Sequence, residues 1–160
     1  MLLPITSRFR MCAILAALLL QAAPLKAEDI DTLPSSITFV TSTGYWADTA
    51  DSATNGQPPR KGYYKLVSVR QPDRTARIYL QQIASGEDGI AVVSSVEIEE
   101  LNRLKPFVTD IRPESSSGIT TQPGMFATVH LKTEPQAKEP ESWTVMIDEL
   151  GEMIVEKASN

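Results

Sequence analysis

GYYKLVSVRQPDRTARIYLQQIASGEDGIAVVSSVEI, residues 62–98, carries the strongest structural pattern in the chain. It holds three runs rich in aliphatic, aromatic and β-branched residues, at 62–71, 75–83 and 90–98. Two short polar joints separate them, Pro72-Asp73 and Ser85-Gly86-Glu87-Asp88-Gly89. In the middle run Ala76, Ile78 and Leu80 alternate with Arg77, Tyr79 and Gln81, the two-residue period of a half-buried strand. Joints this short leave no room for a crossover helix, so the three runs are predicted to form an antiparallel meander.

Working outward, residues 37–41 (ITFVT) form a short β-prone run. Residues 47–61 (ADTADSATNGQPPRK) are small, polar and proline-bearing, and read as a long loop. Beyond the meander, residues 99–104 (EELNRL) suit one or two helical turns. A competing reading starts a helix at Ser95, because Ser94 and Glu97 fit a capping box; strand to Ile98 followed by a short helix is the reading adopted. Further strands are predicted at 107–112, stopped by Pro113, and at 125–132. There Met125, Ala127, Val129 and Leu131 lie opposite Phe126, Thr128, His130 and Lys132. Residues 143–148 and 152–157 make a hairpin around Glu149-Leu150-Gly151, with Gly151 supplying a positive φ. The expected fold is mainly β: a small antiparallel β-sandwich or curled open sheet of about seven or eight short strands, with at most one short helix.

The N-terminus reads differently. Residues 1–10 carry Arg8 and Arg10 and no acid, and residues 11–20 (MCAILAALLL) are almost wholly apolar. Pro24 and Ala27 then precede the acids Glu28, Asp29 and Asp31. A basic flank, a short apolar core and a small residue before a polar start make a signal peptide, with cleavage expected after Ala27. The apolar run is shorter than the ~20 residues a membrane-spanning helix needs. The expected organisation is a signal-peptide helix at 1–27, a polar leader at 28–36 and one β-rich domain at 37–160, in a periplasmic or secreted location. No stable membrane insertion is expected after cleavage.

Cleavage leaves 133 residues, enough to bury a core. Of the 15 basic residues, Arg8, Arg10 and Lys26 depart with the leader, leaving 12 against 20 acids, a net charge of −8. That balance disfavours a phosphate backbone, so no nucleic-acid partner is expected. Cys12 stands at the start of the apolar run instead of after its end, which is the wrong place for a lipid-bearing cysteine. No cysteine follows the leader, so no disulfide or thiolate chemistry is expected there.

Candidate chemistry is sparse. His130 is the single histidine, and with no cysteine a zinc site lacks ligands. A hydrolase reading needs His130 beside a hydroxyl such as Ser142 or Thr128, with Asp110 or Asp148 behind it; a partly exposed strand histidine is the plainer reading. The acids Glu97, Glu99 and Glu100, and Asp148, Glu149 and Glu152, read as solvated strand ends. Asp48, Asp51, Asn55 and Gly56 do not match a calcium-loop spacing. No phosphate-cradling or nucleophile-elbow motif occurs. No catalytic residue, metal ligand or cofactor is therefore assigned.

The strongest candidate is a binding surface. Nine aromatics follow residue 27, and four of them, Tyr45, Trp46, Tyr63 and Tyr64, flank the 47–61 loop beside Arg60 and Lys61. Adjacent strand residues point to opposite faces, so one of each pair enters the core and the other stays outward. An outward aromatic beside a cation makes an amphipathic contact surface; core packing beside the loop is the alternative. The expected function is an exported, non-enzymatic periplasmic binding or interaction module, the alternative a cell-envelope glycan-binding or glycan-processing domain. The partner would be an envelope protein or a glycan, and open strand edges leave room for a homodimer.

Overall fold

The computed structural model describes residues 30–49, 59–87, 89–114 and 123–159. The expected signal peptide, the bond after Ala27 and the middle of the 47–61 loop lie outside these. Ile30–Thr32 form a single 3-10 turn, and the β-rich unit begins at Pro34.

That unit contains two four-stranded antiparallel sheets, each a meander. The first is β1 (Ile37–Ala47), β2 (Lys61–Arg70), β3 (Ala76–Gly86) and β4 (Gly89–Glu97). After α1 (Glu99–Asn102) comes the second: β5 (Phe107–Pro113), β6 (Met125–Lys132), β7 (Glu141–Ile147) and β8 (Met153–Lys157). The architecture is sandwich-like and mainly β, as expected from the sequence. No helix among the described residues is long and apolar enough to cross a membrane.

Register explains which side chains meet. Leu66 pairs with Leu80 and Ser68 with Ile78, so these residues share one face of the first sheet. In β6 the face bearing Met125, Ala127, Val129 and Leu131 is buried, and the face bearing Phe126, Thr128, His130 and Lys132 is not. The buried set packs with Val145 and Ile147 against Leu66, Ile78 and Leu80 to make one core between the sheets. Ser68, fully buried, is satisfied by Thr38, whose Oγ lies 3.1 Å from the serine Oγ.

The two sheets are also joined through the backbone. Between Thr43 and Trp46 the β1–β2 register shifts, and Gly44 there adopts φ +74°. This glycine bulge bends β1, and Tyr45 exchanges two backbone hydrogen bonds with Gly124, just before β6. A Cβ on Gly44 would lie 2.5 Å from the Gly124 carbonyl oxygen. Thr41 adds a hydroxyl bond to the Ile111 carbonyl on β5.

The competing helix start at Ser95 is not adopted, because pairing with β3 holds β4 extended as far as Glu97. The helix that follows is four residues long and has no side-chain N-cap. Packing and one amide hold it. Ile98 and Leu101 are fully buried, and the Asn102 side chain grips Ile78: its Oδ1 accepts from the Ile78 N–H at 2.8 Å and its Nδ2 donates to the Ile78 carbonyl. The amide thus continues the β3 ladder where β4 has ended. In the β7–β8 turn Gly151 has φ +84°, and Asp148 Oδ1 accepts from the N–H groups of Leu150 and Glu152.

Gly62 is the tightest glycine in the sheet. A Cβ there would lie 1.8 Å from the Ile83 carbonyl oxygen, on the neighbouring strand. Gly62→Ala is expected to lower the unfolding free energy by roughly 3 kcal/mol or more, whereas Gly86→Ala, which faces open space, shifts it by less than about 1 kcal/mol. Urea denaturation of the two variants makes the comparison; equal midpoints would contradict the packing described for Gly62.

Candidate functional site

The residues singled out by sequence meet at one end of the β1–β2 pair. Trp46, opposite Gly62, and Tyr64, opposite Thr43, turn inward and are 4% and 7% exposed. Both belong to the core, so a surface ligand reaches only the other four. Tyr45 and Tyr63 are half-buried, and Arg60 and Lys61 are exposed. The bulge at Gly44 decides this arrangement, because it shifts which β1 residue faces inward. The indole N–H of Trp46 donates to the carbonyls of Ile83, at 3.0 Å, and Tyr63, at 3.3 Å. A large aromatic can be buried here because its one polar group is satisfied.

Arg60 and Asp48 clasp the base of the long loop. The Asp48 carboxylate accepts from the Arg60 side chain (Nε, 2.9 Å) and from its backbone N–H, and the Asp48 N–H donates back to the Arg60 carbonyl. The same guanidinium sits over the Trp46 ring, 5.9 Å from its centroid, at the outer limit of a cation–π contact. Hydrogen bonds from the Arg60 side chain and backbone hold Asp48 below its ordinary value, and the carboxylate raises Arg60 in turn.

His130 lies on the outward face of β6, half-buried, with Nδ1 3.0 Å from the Ser142 Oγ on β7. These two residues are cross-strand partners, as are His130 and Asp110 on β5. Asp110 is engaged elsewhere: one oxygen takes the Arg112 guanidinium and the other the Ile111 N–H. The Arg112 bond is the main reason its acidity is raised. Thr128 donates to Glu114. The serine–histidine contact is a link across a sheet face; among the described residues no carboxylate is hydrogen-bonded to the His130 ring.

Three of the six acids singled out by sequence are absorbed into local structure. Glu97 pairs with Arg77, Glu99 with Arg103, and Asp148 closes its turn. Among the described residues no cluster of histidine, cysteine and acidic side chains is placed to hold a metal. Of the residues weighed for calcium, Asp48 is taken by Arg60, and Asp51, Asn55 and Gly56 lie outside the described residues.

One cavity was not read from the sequence. It lies at the other end of β1, has a volume of about 310 Å³, and brings together Phe39, Ala76, Phe107 and Val108 as apolar lining. Arg70, Arg74, Thr38 and Thr75 supply its polar lining. The signal available in sequence was two arginines flanking the Pro72-Asp73 turn of an acidic chain. The apolar half comes from β1, β3 and β5, and only folding assembles it.

No family model matches this chain, nor does any curated protein or solved structure.

Two outcomes follow from this geometry. Trp46→Phe removes the donor shared by the Ile83 and Tyr63 carbonyls, and is expected to cost about 1–3 kcal/mol of stability, measured by denaturant unfolding. In a pH titration followed by NMR, the Asp48 carboxyl is expected to titrate below 3.8, its ordinary value. Because its folded-state pKa is depressed, the clasp contributes fully above the unfolded-state value and is lost as pH falls through the folded-state value. An Asp48 midpoint at or above the ordinary value would sink this account.

Proposed function

We propose that the protein is an exported periplasmic module that binds a partner without catalysing a reaction, through the surface around Tyr45, Arg60, Lys61 and Tyr63. The observation behind this reading is the placement of Arg60. Its guanidinium is fixed by Asp48 and by the Trp46 ring, yet remains largely exposed, at 58% of its side chain. A cation held in one pose loses little freedom when it meets a ligand. Lys61 and half-exposed Tyr63 follow it directly in β2, giving charge and an amphipathic ring beside it. Export is supported by the basic, apolar and small-residue order of residues 1–27.

The partner proposed is an envelope protein; a cell-envelope glycan is the alternative, supported by the half-exposed rings of Tyr45 and Tyr63, which offer faces for a sugar to stack on. Lys61→Ala combined with Tyr63→Ala leaves the core untouched. That variant is expected to keep the native circular dichroism spectrum and to lose a periplasmic protein that the unaltered chain retains. Equal retention would remove this surface from consideration. Trp46 fluorescence, titrated with envelope polysaccharide fragments, separates the glycan alternative, which predicts a saturable change. Cell fractionation tests the location: a shortened form in the periplasm agrees, and the intact precursor in the cytosol does not.

A further inference from the structure

We infer that the cavity at the start of β1 is a binding site for a small amphipathic carboxylate: one anionic head on a short apolar body. The inference is independent of the surface proposed above, which lies at the opposite end of the same strand.

Charge supplies the first half. Six arginines lie among the described residues. Arg60, Arg77, Arg103 and Arg112 each pair with a carboxylate. Arg70 and Arg74 are in none of the salt bridges among those residues, and these two line the cavity. Both are exposed, so their guanidinium donors are open to a ligand. The carboxylate nearest in sequence, Asp73, is turned toward Thr75, whose N–H and hydroxyl both donate to its Oδ1, and it forms no salt bridge with either arginine. A planar guanidinium with several fixed donors matches a carboxylate better than any neutral group.

The backbone holds the pair in place. The Arg70 N–H donates to the Ser36 carbonyl at 2.7 Å. Arg74 sits in a tight turn closed by the Gln71 N–H on Thr75 and by its own N–H on Gln71. Its φ is +71°, a left-handed conformation that glycine or asparagine adopts more readily. A long cationic side chain kept at a strained position points to a use for that side chain.

Shape supplies the second half. Besides Thr38 and Thr75, the rest of the lining is apolar: Ala76 is buried, while Phe39, Phe107 and Val108 are only half-buried and keep area to cover. The 310 Å³ volume is at the small end of ligand sites. A ligand of about ten non-hydrogen atoms, well short of drug size, suits a site at that end of the range. Octanoate has that size. A bare phosphate would use the arginines and leave the rings wet. A neutral hydrocarbon would use the rings and leave the arginines unanswered.

The test is an NMR titration of the purified protein with octanoate, octan-1-ol and inorganic phosphate. Octanoate is expected to give saturable shifts at the amides of Thr75, Ala76, Phe107 and Val108. Octan-1-ol and phosphate are each expected to bind at least tenfold more weakly. Arg70→Gln with Arg74→Asn keeps the turn, because asparagine tolerates the left-handed position, and is expected to weaken octanoate at least tenfold with the amide spectrum otherwise native. If that double variant unfolds, Arg70→Gln alone carries the test, with an expected weakening of at least threefold. The inference is overturned by the absence of saturable octanoate shifts at these amides, by octan-1-ol or phosphate binding as tightly as octanoate, or by folded variants that bind octanoate unchanged.

Discussion

Everything in this fold depends on the apolar contact between the two sheets. Leu66, Ile78 and Leu80 on one side meet Ala127, Val129, Leu131, Val145 and Ile147 on the other. No disulfide is available to the described residues, since the single cysteine lies at position 12. Each fully buried aliphatic side chain contributes roughly 1.5–3 kcal/mol relative to exposure. Against this stands the ordering of two meanders, whose short turns keep each sheet's pairing local. The contact between sheets is the long-range part, and it fixes which face of every strand is inward.

The ends of the core are closed by special devices. At one end the Gly44 bulge bends β1 so that Tyr45 pairs with Gly124 and Trp46 drops over Gly62. At another, Asn102 extends the β3 ladder past the end of β4 and seats Leu101 in the core. The outer strand of the first sheet is treated differently. Ile90 and Val92 are exposed by 71% and 59%, and charge is missing from the run between Gly89 and Val96. Such an edge is open to pairing with another strand.

Charge is distributed with the same economy. Four arginines answer four carboxylates at the surface, and one of these pairs, Arg60 with Asp48, also ties down the loop between β1 and β2. Surface pairs of this kind add little to stability; their effect is to fix side chains in place. Arg70 and Arg74 stand apart: they line one cavity with Phe39, Phe107 and Val108, and neither is in a salt bridge among the described residues.

Much of the fold was legible in residues 62–98 and 125–157, because strand alternation and short polar turns are local signals. Ala76, Ile78 and Leu80 against Arg77, Tyr79 and Gln81 mark the strand, and Gly151 marks its turn, without reference to any tertiary contact. The 99–104 helix was legible as well, although it closed after four residues, once Asn102 found Ile78. Which aromatic of each pair would be buried was not legible. Trp46 entered the core because the bulge at Gly44 offsets the β1–β2 register by a residue, whereas Tyr64 did so because it shares the inward face of β2 with Leu66 and Ser68. The Ser142–His130 contact and the cavity beneath Arg70 and Arg74 were equally hidden. Their members come from strands distant in sequence, and only the packing of one sheet edge against another places them within reach. Strands, turns and their order follow from neighbours a few residues apart, and so can be read along the chain. Which side chains turn outward depends on register and on the sheet lying opposite, and so is fixed only by folding.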